Sequence, residues 1–243
     1  MSNCCPIGPA GRWFGLGWSV DLTPVAAVLR PAAKLVISLI ARLTREDWRQ
    51  AAKLPHGPVI VVVNHISNVD PLLVGTFLAH NGLWPRFLAK DSLFRVPLLG
   101  RILTAIAQIP VHRGTAEAAD ALQDAVAALA DGGCVVVYPE GTITSDPALW
   151  PMKARTGAAR LAARTGAPVV PIGQWGAEQI LYGKKLGIPA ILPRKRISML
   201  VGDPLDLEGL TIDEATDRIM AAITGLVGEL RGELPPVGNG PDR

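Results

Sequence analysis

The stretch Pro58-Val59-Ile60-Val61-Val62-Val63-Asn64-His65-Ile66-Ser67-Asn68-Val69-Asp70-Pro71 decides how this chain is read. Its first six residues are apolar and mostly β-branched, the composition of a buried strand. The run stops at Asn64-His65. Asp70-Pro71 then reads as a helix N-cap followed by proline at the first helical position, opening a helix over 71–80. A strand that ends in a polar turn and feeds a helix is the unit of an α/β sheet. Such sheets carry their sites at the carboxyl ends of the strands, where His65 falls.

The same alternation continues along the chain. Strands are expected over 84–89, 107–111, 134–138, 168–172 and 196–201. Helices are expected over 115–130, stopped by Gly132-Gly133, and over 153–165, ending at Gly166. Thr211-Ile212-Asp213-Glu214 is a capping box that opens a helix running to about Arg231. The pattern predicts the α/β class: a mostly parallel central sheet flanked by helices, with an amphipathic helical segment before it. That segment spans about 24–44. Leu29, Ala33, Val36, Leu39, Ile40 and Leu43 share one face, and Arg30, Lys34, Ser38, Arg42 and Arg45 line the other. With Trp13, Phe14 and Trp18 upstream, it suits a membrane interface, although a helix packed on the domain with a solvated basic face fits the same pattern. The expected division is 1–48 for this segment, 49–234 for the α/β domain and 235–243 for a disordered tail.

Composition excludes several classes. Hydrophobic residues make up 49% and charged ones 19%, so a core is easily built. The net charge of +3 is too weak to imply nucleic acid as a partner. Mean hydropathy is high, +0.30, yet no uninterrupted apolar stretch reaches the roughly 20 residues of a spanning helix. Cys4, Cys5 and Cys134 form neither a disulfide framework nor a metal-ligand spacing, so no metal is expected and a reducing compartment fits. Residues 1–9 lack the basic and apolar regions of a signal peptide.

Five residues on one helix would leave His65 and Asp70 about 140° apart, so the pair does not belong to a single helix. A turn can instead bring the carboxylate onto one imidazole nitrogen, fixing the tautomer and stabilising the imidazolium. The plain alternative is that Asp70 caps a helix and His65 ends a strand. Ser67 has no nucleophile-elbow motif around it, so the attacking hydroxyl is expected from the substrate. A second strand closes on Tyr138-Pro139-Glu140-Gly141-Thr142, where Gly141 permits close backbone approach and exposed amides can hold an anion. An ordinary Pro-Gly turn has the same look. Arg113, just past the strand ending at Val111, suits bidentate phosphate binding, or is a surface arginine. Lys153, Arg155 and Arg160 add positive charge after the Glu140 turn. Lys184, Lys185, Arg194, Lys195 and Arg196 suit anionic lipid or donor phosphates, or form a solvated loop.

Taken together, these segments resemble the glycerolipid acyltransferase family. Asn64, His65 and Asp70 match its histidine–four residues–aspartate motif. Gly100, Ile109 and Arg113 match the second motif, Tyr138 to Thr142 the third, and Val169, Val170 and Pro171 the fourth. The resemblance spans about residues 50–208. It implies that His65 is the base and Asp70 its orienter, and that Arg113, Glu140, Gly141, Thr142 and Lys153 hold a substrate phosphate. One departure stands out: Ile143 occupies the place where the third motif usually continues with arginine or a similar polar residue, and Lys153 or Arg155 is the candidate to replace the lost charge. The implied reaction is acyl transfer from acyl-CoA, or acyl carrier protein, to a lysophospholipid acceptor, with acyl-CoA as co-substrate and no cofactor. The best acceptor is lysophosphatidic acid, and the expected location is the cytoplasmic face of the cell membrane, bound peripherally. Glycerol 3-phosphate or another lysolipid remains an alternative acceptor. Outside the class, an acyl-thioester hydrolase or a non-catalytic lipid carrier remains open.

Overall fold

A computed structural model describes residues 39, 42–111, 118–183 and 187–235 of the chain. Seven strands form one sheet in the order β1-β7-β6-β2-β5-β3-β4. They are β1 (Thr44–Arg49), β2 (Val59–Val63), β3 (Pro85–Lys90), β4 (Ile109–Val111), β5 (Cys134–Val137), β6 (Val169–Trp175) and β7 (Lys195–Val201). The helices among the described residues are α1 (Asp70–His80), α2 (Asp91–Phe94), α3 (Leu99–Ala105), α4 (Ala118–Ala130), α5 (Gly157–Thr165) and α6 (Ile212–Arg231). Strands β6, β2, β5, β3 and β4 run parallel. β7 pairs antiparallel to β6, and β1 parallel to β7.

Every residue of β2 is buried, and its side chains alternate between two cores. Val59, Val61 and Val63 pack with Leu73, Val74, Phe77 and Leu78 of α1. Ile60 and Val62 pack with Ala125 and Leu129 of α4, Leu161 of α5, and Ile219, Ile223 and Val227 of α6. Covering both faces of a parallel strand requires an unbroken apolar run, which is why 59–63 shows no polar alternation. The capping box at Thr211 is formed: its side chain accepts from Glu214 N, and Thr211 N donates to the Glu214 carboxylate at 2.8 Å.

Three expectations need correction. Residues 44–48, placed at the close of the N-terminal segment whose helix was expected to end at about 44, belong to β1 (Thr44–Arg49), so the sheet begins at Thr44. The charged run Thr-Arg-Glu-Asp-Trp-Arg looks like a helix surface. It is held as an edge strand by its register with β7 and by Asp47, which accepts from Ser198 and Arg196 at 3.0 and 2.9 Å. The short helices α2 and α3 were not foreseen, because Pro97 interrupts the pattern between them. A Cβ at Gly100 would come within 1.9 Å of the Phe94 carbonyl oxygen, so only glycine lets these two helices meet. Asp70 is the first residue of α1 rather than its cap. The amphipathic segment expected over 24–44 lies outside the described residues except near its end, as does the tail past 235.

Candidate active site

Because β2 and β5 are parallel neighbours, with Val62 opposite Val137, the turns that leave their carboxyl ends lie side by side. The first turn carries His65, and the second Tyr138, Glu140 and Gly141. The His65 ring stacks on Tyr138, with centroids 4.2 Å apart and planes inclined by 21°.

The second turn fixes the His65 main chain. His65 N donates to Glu140 Oε1 at 3.0 Å, and Thr144 N donates to the His65 carbonyl at 2.8 Å. Glu140 Oε2 accepts from Met152 N at 3.1 Å. Both oxygens of this carboxylate are therefore turned onto backbone amides within the protein. Burial pushes the Glu140 carboxyl up to about 7, against the opposing pull of those amide bonds.

The Asp70 carboxylate is fully buried. Its Oδ2 accepts from Ile66 N at 2.7 Å and Ser67 N at 2.8 Å, and lies 2.8 Å from His65 Nδ1. An ionised carboxylate only accepts, so Nδ1 carries the hydrogen and Nε2 keeps its lone pair. Burial raises the Asp70 pKa, while His65 and the Ser67 and Ile66 amides oppose the rise. The loop 66–69 is thus wound around the carboxylate, and the carboxylate aims the imidazole. Among the described residues nothing bonds Nε2. This arrangement can take a proton from a hydroxyl and hold the resulting imidazolium.

Two neighbours complete the frame. Asn64 and Gln174 exchange three hydrogen bonds of 2.8 to 3.1 Å, using the main chain of both residues, and extend the β2–β6 pairing past its last rung. Gln174 was missed in the sequence, where its strand was expected to end at Ile172; a buried amide in an apolar run was the signal available. Ser67 donates its hydroxyl to the Leu181 carbonyl, which occupies it and ties the segment around Gly183 to the His65 turn.

The other expected residues divide. Glu140 and Gly141 adjoin His65. Thr142 is half-buried on the same turn, and Lys153 is exposed. Arg113 lies outside the described residues, as do Lys184 and Lys185. Ile143 is 4% exposed and belongs to the core, so the place of the expected cation is apolar and faces inward. Among the described residues no three His, Cys, Asp or Glu side chains converge as a metal site, and no helix is long and apolar enough to cross a membrane.

Comparison with known proteins adds to this geometry. The family described as Acyltransferase matches residues 45–175. A chloroplastic 1-acyl-sn-glycerol-3-phosphate acyltransferase of Brassica napus is 30% identical over 193 residues, covering 77% of this chain and 54% of the relative. An N-acylphosphatidylethanolamine synthase of Arabidopsis thaliana is 30% identical over 168 residues, covering 63% of this chain and 58% of the relative. The chain thus spans little more than half the length of these curated relatives. The crystal structure of the 1-acyl-sn-glycerophosphate acyltransferase PlsC of Thermotoga maritima has the same fold, with a TM-score of 0.68 at 21% identity, covering 88% of this chain and 89% of that one.

Proposed function

This chain belongs to the acyltransferase family, and on that premise we propose that it transfers a fatty acyl group from acyl-CoA to the free hydroxyl of lysophosphatidic acid, giving phosphatidic acid at a membrane surface. The observation that carries the reading is the His65–Asp70 contact of 2.8 Å, with the carboxylate pinned by two backbone amides and Nε2 bonded by none of the described residues.

In the proposed step Nε2 accepts the proton of the acceptor hydroxyl as its oxygen attacks the thioester carbonyl. The tetrahedral adduct expels the thiolate of coenzyme A, which takes that proton back from the imidazolium. No acyl-enzyme is formed. Asp70 stabilises the imidazolium, and such general-base assistance is worth roughly 10²- to 10⁴-fold in rate. Glu140 positions His65 through the backbone. Gly141, Thr142, Lys153 and Arg113 are proposed on the phosphate side. A membrane location is supported by Val96, Leu98 and Leu99, exposed aliphatics just past β3, whose carboxyl end shares the sheet edge of β2; Leu98 is 69% exposed. On this reading the enzyme binds peripherally at the cytoplasmic leaflet.

A second reading concerns the acceptor. Ile143 in place of a cation, together with the similarity to an N-acylphosphatidylethanolamine synthase, favours a different lysolipid or an amine headgroup. Thiol release from palmitoyl-CoA, measured across lysophosphatidic acid, glycerol 3-phosphate, lysophosphatidylethanolamine and phosphatidylethanolamine, separates the two. Fastest turnover with lysophosphatidic acid, abolished in His65→Ala, is the expected result. Release without any acceptor would make the protein a thioester hydrolase, and equal rates for wild type and His65→Ala would remove the base.

A further inference from the structure

The turn that carries Glu140 and Gly141 has no cation of its own, because Ile143 is buried. A cation nevertheless lies on it. Gly141 has φ +69°, and a Cβ there would come 2.9 Å from Arg155 Nε and 3.0 Å from its Cδ. The Arg155 side chain therefore fills the space left empty by the glycine. Its backbone is tied to the same turn, Arg155 N donating to the Pro139 carbonyl at 2.8 Å.

The charge on Arg155 is available. The residue is exposed, and among the described residues it pairs with no carboxylate. Glu140, its acidic neighbour, has both oxygens bonded to the His65 and Met152 amides. These bonds also join the backbone of 152–155, the turn and His65 into one unit, so the Arg155 main chain is set at a fixed place beside the His65 turn. Lys153, two residues earlier, is exposed as well.

We propose that Arg155 joins the residues that bind the acceptor's phosphate monoester and supplies the cation that the resemblance leads one to expect at position 143. A planar guanidinium lying along a glycine turn can grip two phosphate oxygens at once, and the missing side chain at Gly141 is what admits it. This rests on the reading of the acceptor as a phosphate ester.

The test is steady-state kinetics of wild type, Arg155→Ala and Arg155→Lys. Oleoyl lysophosphatidic acid and 1-oleoylglycerol, which lacks the phosphate, serve as acceptors, and palmitoyl-CoA as donor. For Arg155→Ala the KM for lysophosphatidic acid is expected to rise roughly 10- to 100-fold, the loss of a charge-assisted phosphate contact. Expected alongside are an unchanged KM for palmitoyl-CoA and an unchanged rate with 1-oleoylglycerol. Arg155→Lys recovers part of the loss, since it keeps the charge but not the fork. If wild type favours the phosphate-bearing acceptor and Arg155→Ala retains its KM, the assignment of Arg155 is overturned while the acceptor reading stands. A rise confined to the KM for palmitoyl-CoA moves Arg155 to the donor's phosphates and overturns it too. Equal losses on both acceptors would make it a structural residue. If wild type ignores the phosphate altogether, the acceptor reading falls, and this proposal with it.

Discussion

Replacing Asp70 with asparagine separates the geometry of the His65–Asp70 pair from its charge. Asp70 Oδ2 accepts from Ile66 N, Ser67 N and His65 Nδ1 at 2.7, 2.8 and 2.8 Å. An asparagine amide has two orientations in that space. With nitrogen at the Oδ2 position it would meet two backbone N–H donors and forfeit both bonds, at about 1–3 kcal/mol for each orphaned donor. With oxygen there all three bonds survive. The NH₂ group then falls at the Oδ1 position, where the native oxygen has no described partner. The second orientation wins, so Asp70→Asn keeps Nδ1–H aimed at residue 70 and removes only the negative charge.

The missing term is the attraction between carboxylate and imidazolium. At an effective permittivity near 20 a unit pair 4 Å apart is worth about 4 kcal/mol, and the gain of a charged over a neutral hydrogen bond is about 1 kcal/mol or more. We therefore expect kcat to fall by about 10- to 1,000-fold in thiol-release assays, each decade corresponding to about 1.4 kcal/mol. KM for both substrates should hold, since Asp70 is wholly buried and touches neither. Thermal unfolding should show a loss of about 1–3 kcal/mol from the buried, unpartnered NH₂ group. The rate of Asp70→Asn must stay above that of His65→Ala. A folded Asp70→Asn with kcat within twofold of wild type would refute the charge argument, and one as slow as His65→Ala would refute the orientation argument.

Other perturbations test the frame. Glu140 has its carboxyl raised from 4.5 to about 7, so between those values the native state holds a proton that the unfolded chain has released. Its contribution to stability therefore falls as pH rises through this window, by about 3 kcal/mol in all. Glu140→Gln should lack that slope in urea unfolding followed from pH 4.5 to 7.5, and parallel curves for the two proteins would contradict the assignment. Gly176 has φ +105°, and a Cβ there would come 2.1 Å from the Arg196 carbonyl oxygen. Gly176→Ala should lower stability by at least about 2 kcal/mol, read as a drop in the urea midpoint, and an unchanged midpoint would show that the β6–β7 approach is looser than described. Burial pushes the Cys134 thiol up to about 12. Iodoacetamide at pH 8 should leave Cys134 unmodified in the native protein and alkylate it in urea, as peptide mass spectrometry would report; modification of the native protein would mean that β5 opens readily.

Much of the fold was legible because burial leaves a local mark. Residues 59–63 must be apolar on both faces of the sheet, and they are apolar in the sequence. α6 announces itself through its capping box, whose residues satisfy their own backbone donors. β1 was not legible. Its charges are compatible with a helix surface, and only the pairing with β7, about 150 residues away in sequence, makes it a strand. The short helices α2 and α3 are too brief to show a period.

The site divides in the same way. The residue types and spacing at 64–70, read with the resemblance, put His65 and Asp70 forward as a pair, and a single turn brings them to 2.8 Å because they lie close in the chain. What the second turn does was decided by the tertiary structure. Glu140 reaches His65 N across 75 residues, Gln174 reaches Asn64 across 110, and Arg155 rather than residue 143 brings a cation to Gly141. Side-chain types and local turns follow from neighbours in the chain, so the residues offered at 64–70 and 138–142 could be read before folding. Which groups aim that chemistry was decided by parallel strands β2, β5 and β6 lying side by side, because their carboxyl ends meet only after the intervening helices have returned the chain to the same edge of the sheet.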